Sequence, residues 1–214
     1  MNGIALNVAV LLQMLPRLLL IGLIVLSILL ANQSVVLLTA SLTGFLLLLN
    51  ALNQVIVRMA PDAAVISSVS DMCSSGMFGK PWARLITNTP DLLWHPYAPS
   101  LYTAVIAFLT GWGFALQTLY RDEIDAGVLS RRTATATAIL SSILLVLVLG
   151  VRVFMNQCDT LVGALGGAAI GVFMGYGVCL TLGYATDRRA TNLWGIPLLR
   201  DRINNGSPVF VCPK

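Results

Sequence analysis

Long apolar runs separated by short polar clusters make up most of this 214-residue chain. Each run approaches the roughly 20 residues that a helix needs to cross the hydrocarbon core of a bilayer. Inside lipid the backbone must satisfy its own hydrogen bonds, and a helix does so within one segment. The pattern therefore predicts an all-α, polytopic transmembrane bundle of about five spans, at residues 7–31, 35–57, 101–120, 133–154 and 161–185.

The first run contains Pro16 and Arg17. Because proline disfavours a helix interior, this run is predicted to form an interfacial helix followed by a short span. The polar sequence Asn32-Gln33-Ser34 predicts a tight connection to the second span. The two spans are expected to form a helical hairpin.

Two segments differ from the apolar background. Residues 61–99 are rich in Ser, Asp, Gly, Pro and Trp, which predicts one extramembrane loop within a bundle that covers residues 1–185. Residues 186–214 form a polar C-terminal tail. Both segments are candidate contact sites for other proteins.

Composition narrows the functional classes. The chain is 57% hydrophobic and 10% charged, whereas soluble domains carry about 25% charged residues. Its net charge is +4, but bases alternate with acids along the loops and the tail, unlike the one-sided patch of a nucleic-acid binder. The four cysteines form no C-x-x-C pair and there is one histidine, so we predict no metal, no cofactor and no nucleic-acid partner.

Basic residues are distributed unevenly between the two sides that five spans would create. Eight lie on the side of the charged turn near residue 125 and the tail, and five lie on the side of the 61–99 loop. The positive-inside rule then places the tail in the cytosol or an equivalent compartment. The identity of the membrane stays open.

The fifth run has glycines four residues apart, which places them on one helix face. Such a face lets a second helix approach closely. We expect it to pack within the bundle, and a dimer contact is the alternative. The residues are Gly163, Gly167, Gly171 and Gly175.

The residues at three predicted helix ends, and their spacing, resemble the motifs of a known family. Arg152 is followed six residues later by Cys158 and then by the glycine-rich run, Pro99-Ser100 opens the third run, and Pro61 follows the second. Over residues 35–185 this arrangement resembles the type 2 phosphatidic acid phosphatase superfamily of membrane lipid phosphatases. Its motifs are K-x6-R-P, P-S-G-H and S-R-x5-H-x3-D.

The resemblance implies that most of the family's chemistry is lost. In the family, one histidine attacks phosphorus, an aspartate orients it, another histidine protonates the leaving group, and basic residues hold the phosphate. Here Arg152 keeps the family arginine, and Pro61, Pro99 and Ser100 keep motif positions. The departures from the motifs are Asn53 for lysine, Ala60 for arginine, Tyr102 and Cys158 for the histidines, Val151 for serine and Val162 for aspartate.

Four basic residues remain candidates for binding a phosphate or a lipid headgroup. They are Arg152, Arg58, Lys80 and Arg84. For Arg152, a plain interfacial cation at a helix end is the alternative. Asp159, next to Cys158, is expected to be a solvated turn residue.

These patterns predict a non-catalytic integral membrane protein, a pseudoenzyme on a degenerate lipid-phosphatase scaffold. Its expected role is that of a structural subunit in a larger membrane-associated assembly, such as a virion or an organellar complex. The expected partners are the bilayer, a bound phospholipid and other protein subunits. The alternatives are an active lipid phosphatase with a rearranged site that uses Cys158 or His95, and a small transporter or channel component.

Overall fold

The described part of the protein consists of helices. The computed structural model describes residues 3–59, 99–125, 131–155, 159–186 and 188–193. Within these ranges every regular element is helical. They are α1 (Gly3–Leu30), α2 (Gln33–Met59), α3 (Leu101–Leu119), α4 (Arg121–Asp125), α5 (Arg131–Gly150), a π-helical segment (Val151–Met155), α6 (Leu161–Ala185) and a 3₁₀ turn (Arg188–Thr191).

Four of these helices are long and apolar enough to cross a membrane. Their segments are Gln33–Asn53, Leu101–Leu119, Thr135–Phe154 and Leu161–Ala185. The prediction of an all-α bundle with membrane-spanning helices agrees with this finding. In α1 the apolar stretch with described side chains is shorter and covers Leu18–Leu30. A membrane span at α1, which would bring the number of spans to five, therefore stays a prediction.

Helix α1 is continuous, and this differs from the sequence prediction. The sequence predicts an interfacial helix and a separate short span on either side of Pro16. Instead, Pro16 lies inside one helix of 28 residues. Pro16 is also buried. A proline removes one backbone hydrogen bond, but helices in an apolar bundle tolerate it when neighbouring groups and small backbone adjustments satisfy the freed carbonyl.

The connection between α1 and α2 is the tight turn that the sequence predicts. Ala31 has φ 45°, a left-handed conformation that ends α1. Asn32 then caps α2, since its Oδ1 accepts the Ser34 N–H at 2.9 Å and its carbonyl accepts the Val36 N–H at 3.0 Å. The Thr39 hydroxyl of α2 donates to the Val35 carbonyl of its own helix at 2.8 Å and also lies 3.4 Å from the Leu23 carbonyl of α1, so the two helices lie side by side as a hairpin.

The outer surface of the bundle is apolar. Helix α3 is the central helix, and its side chains are largely buried. Leu29 of α1 is 74% exposed and Phe173 of α6 is 76% exposed. In contrast, Val105, Phe108 and Leu116 of α3 are at most 1% exposed. Large exposed apolar side chains on several helices are unfavourable in water and are typical of a lipid-facing surface.

Helices α3 and α6 are parallel and pack through the glycine face of α6. A Cβ atom on Gly175 would collide with the carbonyl oxygen of Phe108, and one on Gly171 would lie 2.6 Å from that of Ala104. At Gly167 the collision would be with the Ser100 carbonyl. The backbones are therefore so close that no side chain fits between them, and this glycine face is occupied within the chain.

Helix α2 packs against α3 in the opposite direction. The rings of Phe45 and Phe108 are stacked with their centroids 5.0 Å apart. Trp112 lies one turn further along α3, and its ring centroid is 6.0 Å from that of Phe108. Trp112 is 2% exposed, so it packs inside the bundle. Leu42 and Leu49 of α2 are fully buried on the same side.

Substitution of Gly175 by alanine tests the close approach of α3 and α6. Because the added methyl group meets backbone rather than a flexible side chain, we expect Gly175→Ala to destabilise the bundle by about 1–3 kcal/mol. Gly177→Ala is the matched control, since nothing lies within 4 Å of its added carbon atom. Thermal unfolding in detergent measures both variants, and equal stability of the two would contradict this packing.

Candidate functional site

One end of the bundle brings together the ends of four helices. Asn53 near the end of α2 donates through Nδ2 to the Pro99 carbonyl at 3.2 Å. The Ser100 N–H, at the start of α3, donates to the Gly163 carbonyl of α6 at 2.9 Å. The π-helical segment that follows α5 joins them through Arg152. We call Asn53, Ser100, Tyr102, Arg152 and Asp159 the helix-end cluster.

A buried ion pair lies at the centre of this cluster. Arg152 Nε donates to Asp159 Oδ2, and Arg152 Nη2 donates to Asp159 Oδ1 at 3.2 Å. The two side chains are 5% and 4% exposed. Such a paired, two-bond geometry is the strongest arrangement between arginine and a carboxylate.

The π-helical segment after α5 carries Arg152. A π turn inserts an extra residue into the helical repeat, which redirects the side chains that follow. The Arg152 Cζ atom lies 4.2 Å from the centroid of the Tyr102 ring, within the range of a cation–π contact. The guanidinium is thus held by a ring of α3 and a carboxylate at the start of α6.

Asp159 also fixes the start of α3. Ser100 Oγ donates to Asp159 Oδ2 at 2.7 Å, and the same Oγ accepts the Thr103 N–H at 3.5 Å as the N-cap of α3. Thr160 caps α6 by accepting the Gly163 N–H at 3.1 Å. One carboxylate therefore ties together α3, the π segment and the start of α6.

The electrostatics of the cluster explain why its groups are paired. Transfer of a single ion into an apolar interior costs several kcal/mol even after relaxation. The described residues of the cluster carry one positive and one negative formal charge, which compensate each other. A phosphate that approached Arg152 would therefore have to compete with the Asp159 carboxylate.

Asn53 is the member of the cluster with an unused hydrogen-bond acceptor. It is 5% exposed, and its Oδ1 has no hydrogen-bond partner among the described residues. Its Nδ2 is used by the Pro99 carbonyl. The amide thus joins α2 to α3 through its donor side.

The structure brings together part of the predicted motif set. Asn53, Pro99, Ser100 and Tyr102 lie in or next to the cluster with Arg152, and Val151 is buried beside it. Val162, at the position of the family aspartate, instead faces outward with 78% exposure. For Arg58 only the backbone is described, and the remaining predicted positions lie outside the described residues: Ala60, Pro61, Lys80, Arg84, His95 and Cys158.

Asp159 is the site residue that sequence reasoning missed. The expectation of a solvated turn residue was wrong, because the Asp159 side chain is 4% exposed and paired with Arg152. A signal was present in the sequence. Asp159 and Arg152 are the single acidic and the single basic residue between positions 133 and 185, and opposite charges in an apolar region are expected to pair.

Comparison of the chain with protein-family models, curated protein sequences and solved structures found no match. The likeness to lipid phosphatases therefore rests on the motif positions alone.

A double-mutant cycle tests the ion pair. Asp159→Ala leaves Arg152 buried without its counter-charge, so we expect a loss of about 3–5 kcal/mol of stability, and a similar loss for Arg152→Ala. Removal of both side chains together should cost clearly less than the sum of the two single changes. Unfolding in detergent measures all three variants.

Arg121→Ala is the control for this cycle. Asp125 forms an ion pair with Arg121 at 3.7 Å, but the two side chains are 49% and 78% exposed. Exposed pairs contribute little, so this variant should unfold almost like the wild type. Strictly additive losses for Arg152 and Asp159 would show that the buried pair is not coupled.

Proposed function

We propose that this chain is a non-catalytic integral membrane protein that serves as a structural subunit of a larger membrane-associated assembly, such as a virion or an organellar complex. The observation that carries the proposal is the Arg152–Asp159 ion pair, which also receives the Ser100 hydroxyl. The side chains of Arg152 and Ser100 both bond to Asp159, and the Asn53 amide bonds to the Pro99 carbonyl, so these groups hold helix ends together. Their role in this proposal is to stabilise the bundle.

The same geometry supports a degenerate lipid-phosphatase scaffold. Asn53, Ser100 and Arg152 belong to three separate motif regions, yet they lie at one end of the bundle. An inherited scaffold requires this convergence. Two replacements favour loss of the chemistry: Tyr102 lies against the Arg152 guanidinium, and Val162 points away from the cluster.

The proposed partners are the bilayer, a phospholipid near Arg152 and other protein subunits. The apolar outer surface supports contact with lipid. The tail begins with a turn fixed to the bundle, because Thr191 is fully buried and its hydroxyl lies 3.3 Å from that of Tyr120. We propose that the loop at 61–99 and the rest of the tail contact the other subunits.

The proposed topology has five spans, with α1 as the first and the tail on the cytosolic or equivalent side. Helix α1 has 28 residues and pairs with α2 as a hairpin. At the end of the bundle opposite the cluster, Tyr120, which directly follows α3, meets Thr191, which follows α6. Spans that alternate in direction place the ends of α3 and α6 on the same side of the membrane, as found here.

A phosphate-release assay tests the non-catalytic proposal. We expect purified protein in vesicles that contain phosphatidic acid to release no more phosphate than protein-free vesicles, because Arg152 is engaged by Asp159 and no activated nucleophile is positioned beside it by the described residues. An active phosphatase of this family serves as the positive control. Phosphate release that disappears in a folded Cys158→Ala variant would establish the enzyme alternative instead.

The size of the native complex tests the role as a subunit. After solubilisation of native membranes in mild detergent, we expect the chain to migrate with other proteins, well above its own 22.9 kDa. A variant truncated after residue 193 keeps the buried turn at Thr191 and should lose part of this association while its unfolding temperature stays unchanged. Migration of the intact chain as a monomer would contradict the proposal.

Accessibility of the two chain ends tests the span count. Five spans place the two ends on opposite sides of the membrane, whereas four spans place them on the same side. We therefore expect an N-terminal and a C-terminal tag to react with a membrane-impermeant reagent from opposite faces of sealed vesicles. Labelling of both tags from one face would exclude α1 as a span.

A further inference from the structure

We draw no further inference here: the strongest candidate, the outward face of α5 from Ile139 to Leu147, is an exposed apolar helix surface, and nothing in the described part of the chain shows what covers it.

Discussion

The arrangement of helices in this protein depends on one buried pair of opposite charges. Arg152 and Asp159 are the single basic and the single acidic residue between positions 133 and 185, and each would be strongly unfavourable in its buried position without the other. Their pairing brings the π segment after α5 to the start of α6. Because Asp159 also accepts the Ser100 hydroxyl, the same carboxylate sets the position of α3. Three helix ends are fixed by a single charged group.

Ser100 connects this polar constraint to the packing of the apolar core. Its hydroxyl bonds to Asp159, while its carbonyl faces Gly167, where α6 has no side chain. The glycine face lets α3 and α6 approach along their length, but close approach alone has little directionality. The hydrogen bonds at Ser100 supply it, because donors and acceptors must align. Packing and polar contacts therefore select the same alignment of the two helices.

This dual use of the cluster bears on the proposed function. A phosphoryl-transfer site needs cations free to meet the phosphate and a nucleophile with a positioned base. In the described residues, the arginine at the family position is neutralised by Asp159 and stacked on Tyr102. A site whose charges hold helices together is suited to a stable scaffold, and this is the basis of the proposed role as a structural subunit. In the proposal of a degenerate lipid-phosphatase scaffold, the resemblance concerns the arrangement of helix ends and not their chemistry.

The sequence by itself determined the helical class, the apolar segments of α2, α3, α5 and α6 that are long enough to cross a membrane, and the turn at Asn32. It did so because apolar run length and local capping are short-range properties. The continuity of α1 through Pro16 was not predictable in this way, since it depends on the surroundings of the helix. Only the tertiary structure decided that Asp159 is buried and that Val162 faces outward. Both outcomes depend on how the start of α6 packs against α3, which is distant in sequence. This packing places Asp159 against Ser100 and leaves Val162 facing outward.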